Sequence, residues 1–193
     1  MTHAIFPGLQ AGRYGALYCD PPWAFEAYRN KAAIAQRSAE SHYKVEGVDA
    51  LATLPVLDLA AKDCALFMWV VDSHLDQGVA LMERWGFSYK TIAFVWVKTT
   101  LAGDPRMGMG LWTRKMSEIC IMGTRGKPTR NDKGVRQVIM APRREHSRKP
   151  DEVRERIERL VAGPYAELFA RSSAPGWDRW GDQSTKFDLK EAA

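Results

Sequence analysis

Cysteine is scarce: the 193 residues hold three, Cys19, Cys64 and Cys120. They lie far apart, form no C-x-x-C pair and each falls in an apolar run. That excludes a disulfide framework and points to buried free thiols in a reducing compartment, cytoplasmic by expectation. The four histidines show no metal-ligand spacing, so no metal site is expected. No apolar run is long enough to span a membrane. The first residues, Met1 to Pro7, lack a basic region leading into an apolar stretch, so neither a signal peptide nor a membrane partner is expected. Gly108-Met109-Gly110 lacks Walker spacing and a following Lys-Ser/Thr, which excludes a phosphate loop. Repeats and linkers are absent too. The expectation is one domain over residues 1–193, with residues 1–13 and 184–193 as poorly ordered tails.

What is present is an ordinary globular composition with an uneven charge. Hydrophobic residues make up 46% and charged residues 26%, enough apolar material for a real core. The net charge is +5, yet residues 123–149 alone carry nine Lys/Arg against Asp132 and Glu145, a local +7. A basic block interleaved with Gly and Pro suits a loop over a polyanion. A merely solvated basic loop is the plainer alternative.

Periodicity gives the elements in order. Tyr14 to Cys19 is a short apolar strand. Residues 24–46, with Tyr28, Arg29, Lys31 and Arg37, show no period and read as a functional loop that closes over substrate. Val48 to Leu59 reads as a short helix interrupted at Pro55. Cys64 to Val71 is continuously apolar, as in a strand buried on both faces. Ser73 is placed to cap a helix carrying Leu75, Val79 and Met82, which Gly86 ends. Phe87–Val97, Ile119–Met122, Val135–Met140 and Ala166–Ala170 read as further strands. Pro150 opens a helix with Asp151 and Glu152 near its positive end. Strands alternating with helices predict an α/β domain with a mainly parallel sheet flanked by helices.

The most chemically specific stretch is Asp20-Pro21-Pro22-Trp23, directly after the first strand. Neither proline can extend a ladder, and the residue before each is pushed to an extended conformation. A carboxylate, a stiffly held carbonyl and an indole plane thus stand together at a strand end. They can grip a flat molecule bearing an amino group, the two oxygens each accepting one N–H and the indole packing on the ring. The plainer reading is a strand-to-loop turn with a buried tryptophan.

Asp20-Pro21-Pro22-Trp23 resembles the DPPW signature of the N6-adenine methyltransferases related to the eukaryotic messenger-RNA adenosine methyltransferase. Leu66–Val70, Trp96–Thr99, Gly123–Pro128, Ser147–Glu152 and Glu167–Arg171 resemble that family's later motifs, in the same order, over residues 15 to 183. The resemblance implies a Rossmann-like S-adenosylmethionine-dependent fold with permuted motif order. It implies that Asp20 and the Pro21 carbonyl accept the two amine N–H bonds, with Pro22 in the same motif and Trp23 walling the base. Lys149 would contact the methionine carboxylate of the cofactor, and Phe169, Arg171, Asp182 and Gln183 would line its ribose and adenine. Tyr43, Trp96 and Lys98 would adjoin the substrate, with a packing role as the alternative for Tyr43. Trp112 could stack on a base beside Arg106 and Arg114, and Arg125, Lys127 and Arg130 could meet phosphates. An adenine in a duplex would have to be flipped out first.

The chain departs from the pattern in places. Asp182-Gln183 stands where the family often has Asn-Gln, Ser172-Ser173 follows Arg171, and no Asp or Glu occurs among residues 1–19 to make the eukaryotic acidic contact to the cofactor adenine. The leading expectation is methylation of adenine N6 in nucleic acid, DNA before RNA, with a short or relaxed target site. A non-catalytic nucleic-acid-binding subunit and an enzyme acting on a small free amine are the alternatives. Monomer and homodimer stay open.

Overall fold

The computed structural model describes residues 2–23, 47–108, 110, 112–145 and 147–188. Seven strands form one mixed sheet: β1 (Tyr14–Cys19), β2 (Ala60–Val70), β3 (Ser88–Thr99), β4 (Ser117–Arg125), β5 (Val138–Pro142), β6 (Tyr165–Leu168) and β7 (Trp177–Trp180). Their order across the sheet is β5-β3-β4-β2-β1-β6-β7. Every neighbouring pair is parallel except those involving β4, which runs against both β2 and β3. Among the described residues three helices accompany the sheet: α1 (Val48–Ala52), α2 (Leu75–Arg84) and α3 (Glu152–Leu160).

The central strands are buried on both faces, which explains their unbroken apolar runs. Leu17, Cys19, Leu66 and Met68 join a core with Leu81, Met82 and Trp85 from the α2 side. Tyr18, Phe67, Trp69 and Phe94 join the opposite core with Val153 and Ile157 of α3. Each such large side chain contributes roughly 1.5–3 kcal/mol by leaving water. All three cysteines are buried and free. Burial pushes the Cys64 thiol up to about 12 and drives Cys19 and Cys120 upward as well, which keeps them protonated and unreactive. No helix among the described residues is long and apolar enough to cross a membrane.

Several local expectations need adjusting. Ser73 does not cap α2: it lies in a single 3-10 turn, Asp72–His74, its hydroxyl bonds the His74 ring at 2.8 Å, and α2 starts after it. Pro55 does divide its segment, into α1 and a 3-10 turn at Val56–Leu59. Residues 2–13 seat Phe6 and Leu9 in the core, and Phe187 is also buried, so both segments read as tails carry core side chains.

Candidate active site

In a parallel sheet, ligands bind beyond the carboxyl ends of the strands. β1, β2, β3, β5 and β6 all point their carboxyl ends the same way, and the antiparallel β4 brings its first residues to that end. Asp20 follows β1 directly, and Phe169 follows β6. Loop 100–116 connects β3 to β4 there, tied down by a 3.1 Å ion pair from Lys115 to Asp72.

At this end four charged side chains form a chain. Lys149 Nζ donates to Asp20 Oδ2 at 2.7 Å and lies 3.4 Å from Glu118 Oε2; Lys98 Nζ reaches Glu118 Oε1 at 2.5 Å. None of the four side chains is more than a quarter exposed. Burial alone would lower the Lys149 ammonium, but the carboxylates of Asp20 and Glu118 outweigh it and hold it above the ordinary lysine range. Burial alone would likewise raise Glu118, but Lys149 and Lys98 pull it down to about 2. Lys149 and Glu118 are therefore both charged at neutral pH, and one Asp20 oxygen is committed to Lys149.

Beside it opens a cleft of about 380 Å³, within the size range of small-ligand sites. Asp20 and Pro22 form one wall; Phe169, Arg171, Asp182 and Gln183 form the other, with Leu54 and Trp180. Asp20 and Pro22 thus share one cavity with Phe169, Arg171, Asp182 and Gln183, although they come from opposite ends of the chain; Lys149, expected at the cofactor carboxylate, lines a separate smaller pocket beside Asp20. The donor set suits S-adenosylmethionine: apolar and aromatic surface for an adenine, a carboxylate acceptor for ribose hydroxyls, cations for a carboxylate, and Asp20 near a sulfonium. Phe169 holds φ 58° and Ser147 φ 64°, the positive-φ non-glycine residues of the described chain. Both line the space around Asp20 and Lys149. Such conformations cost about 1–3 kcal/mol each and cluster at functional sites.

The remaining expected residues divide. Pro21 is buried and its carbonyl accepts the Trp23 N–H at 2.9 Å, which fixes its direction and leaves its second lone pair. Trp23 is 4% exposed, and its indole N–H donates to the Trp69 carbonyl at 3.1 Å. It stabilises the Asp20 turn from within the core and does not line the cleft. Trp96 is also buried, donating to the Ala141 carbonyl, with the Lys98 ammonium 5.3 Å from its ring centre. Arg106, Trp112 and Arg114 are exposed on loop 100–116 at the site end. Tyr43 and the loop expected to close over substrate lie outside the described residues.

Arg125, Lys127 and Arg130 are not brought to the site. β4 is antiparallel, so its last residue, Arg125, pairs with Cys64 near the start of β2, at the sheet's other end. The Arg125 guanidinium is spent internally, donating to the Leu57 and Ala60 carbonyls. Glu118 was not visible as a site residue in the sequence, because one carboxylate at a strand start carries no signal until Lys98 and Lys149 are folded against it. Arg154 and Glu167, paired at 2.7 Å below Asp20, were missed for the same reason.

Known proteins resemble this chain over most of its length. The family model MT-A70 matches residues 14–183. A type II methyltransferase, M.MunI of Mycoplasma sp, is 34% identical over 92% of this chain and 80% of its own. The N(6)-adenosine-methyltransferase catalytic subunit METTL3 of Homo sapiens is 32% identical over 89% of this chain but 28% of its own length. An MT-A70-like putative N(6)-adenosine-methyltransferase of Medicago truncatula is 34% identical over 89% of this chain and 26% of its own.

Proposed function

The chain belongs to the MT-A70 family and is an N6-adenine methyltransferase; on that premise we propose that it is a single Rossmann-like domain that uses S-adenosylmethionine and methylates adenine in DNA. The observation that carries this reading is Asp20, clamped by Lys149 at the lip of the cleft it shares with Phe169, Arg171, Asp182 and Gln183. Coverage supports DNA over RNA: the match takes in most of the type II methyltransferase but about a quarter of the adenosine methyltransferases.

S-adenosylmethionine supplies an electrophilic methyl group on a sulfonium. The residues do the rest by positioning and electrostatics. The adenine amine is a poor nucleophile because its lone pair is delocalised into the ring. Asp20 presents its free oxygen, and Pro21 its carbonyl, to the two amine N–H bonds. Accepting both favours a more pyramidal nitrogen and aims its lone pair at the methyl group. As the N–C bond forms and the methyl–sulfur bond breaks, its electron pair leaving with a neutral thioether, the positive charge would move to that nitrogen beside the Asp20 carboxylate; one proton would then leave to solvent. Lys149 keeps Asp20 from rotating away, and Glu118 keeps Lys149 in place. Arg171 and Asp182 would hold the polar parts of the cofactor, and Phe169 and Trp180 its base. Arg106, Trp112 and Arg114 meet the nucleic acid at the site end.

The test is methyl transfer from labelled S-adenosylmethionine to matched single- and double-stranded DNA and RNA, with nucleoside analysis of the product. Label in N6-methyladenine of DNA is the expected result. Label in RNA alone would reverse the substrate assignment. No label on any polymer, with cofactor binding intact, would make the chain a non-catalytic binding subunit.

A further inference from the structure

The nine cations of residues 123–149 do not form one patch. β5 runs parallel to β3, from Val138, level with Val95 in the site-end half of the sheet, to Pro142 at the site end. It divides the block: Arg143, Arg144, Arg148 and Lys149 follow it at the site, and Lys127, Arg130, Lys133 and Arg136 precede it, in the stretch that leaves β4 at the far end. Those last four are exposed, and among the described residues none of their side chains has a partner.

The loop bearing them is held rigidly. Asp63 Oδ1 accepts the Lys127 N–H at 2.7 Å, and Asn131 N–H donates to the Leu160 carbonyl at 2.9 Å. Arg159 pairs with Asp132, and Arg156 donates to the Val138 carbonyl at 2.8 Å. Gly126, at φ 63°, packs so tightly that a Cβ would lie 2.2 Å from Asp63 Oδ1. The nearby carboxylates Asp63 and Asp132 are thus spent on the loop's own backbone and on α3. A loop fixed this way offers four cations to solvent with its backbone already ordered, which an incidental basic loop does not need.

We propose that this far-end surface binds the phosphate backbone of the substrate polymer away from the target base. The proposal rests on the reading that the chain acts on nucleic acid, and it makes the enzyme's footprint longer than its active site. Asp20 is level with Cys120, five residues from Arg125, and β4 lies two strand spacings from β1, with β2 between them. At strand rise and spacing that places the basic loop roughly 20 Å from the reacting amine. Along a duplex this is about six base pairs.

The test compares mixed-sequence DNA duplexes of about 10 and about 30 base pairs, which fall short of and exceed that reach. Binding is read by fluorescence anisotropy across a salt series, for the wild type and for the triple variant Lys127→Gln, Arg130→Gln, Lys133→Gln. The wild type is expected to bind the long duplex at least tenfold more tightly than the short one. The variant is expected to lose that preference, with its salt slope on the long duplex shallower by about 2 to 3. A variant that keeps the wild-type preference and slope overturns the proposal, as does a wild type with no preference. Methyl transfer is measured separately: length-dependent binding that the variant abolishes, on DNA that is never methylated, upholds this surface and sinks the DNA-methylation reading instead.

Discussion

Lys149 Nζ and Asp20 Oδ2 lie 2.7 Å apart, although 129 residues separate them in the chain. The pair joins the loop before α3 to the end of β1. It leaves Asp20 one oxygen with which to meet an incoming amine. Whatever moves Lys149 therefore moves the acceptor on which the reaction depends.

Asp20→Ala removes an interaction that matters most as charge develops. Its kcat is expected to fall about 100-fold or more, while nucleic-acid binding stays within a few-fold of wild type. Single-turnover methyl transfer alongside calorimetric binding checks this; normal turnover would remove Asp20 from the chemistry.

Glu118→Gln tests the positioning chain. It is expected to lower kcat with little change in the KM for cofactor, because Glu118 acts through Lys149 and does not line the cleft. Its pH signature is specific. Glu118 titrates at about 2 in the fold against an ordinary 4.5, so its contribution to stability is complete above about pH 5 and is lost as pH falls toward 2. The stability gap between wild type and variant, from urea unfolding, should be constant from pH 5 to 8 and close in acid. A gap that persists at pH 2 would mean the substitution acts through packing.

Asp182→Ala and Arg171→Ala should each raise the KM for S-adenosylmethionine about tenfold, the cost of a charge-assisted hydrogen bond. The KM for nucleic acid should stay put. Initial-rate kinetics with each substrate varied in turn would expose the opposite pattern.

Trp112 is 99% exposed, so Trp112→Ala should leave thermal unfolding unchanged. If a base stacks on it, nucleic-acid affinity falls by about 1–3 kcal/mol. Equal affinities for both proteins would make the indole a surface group without a ligand.

Gly78→Ala sets two effects against each other. Alanine is the better helix former by about 1 kcal/mol. A Cβ at Gly78, however, would lie 2.5 Å from Val70 Cγ1, a stiff β-branched neighbour on β2. The clash wins: a net loss of about 1–2 kcal/mol is expected in denaturant melts.

Elements whose cause is local were legible in advance. Two prolines after an apolar strand mark a strand end whatever the rest of the chain does, and Asp20 sits there. Pro150 with Asp151 and Glu152 likewise announces α3. Strand direction was not legible, because the two-residue period of β4 is the same read either way. That direction carries Glu118 to the site and Lys127 and Arg130 away from it. The tryptophans make the same point. Trp23 and Trp112 both sit beside chemistry-bearing residues, yet one is 4% exposed and the other 99%. The difference lies in the Trp69 carbonyl waiting for Trp23, which no local pattern shows.

The place of β1 in the sheet has a consequence for synthesis. β1 is made before both of its neighbours in the sheet, β2 and β6, and residues 165–168 of β6 come about 150 residues later. At 5–20 residues per second, roughly seven to thirty seconds pass before its second edge is covered. Throughout that interval the nascent chain carries Leu17, Tyr18 and Cys19 on an open apolar edge, the kind of surface that pairs with other chains. A ribosome stalled before residue 165 therefore holds a fragment that is both inactive, with half its cleft unmade, and prone to aggregate.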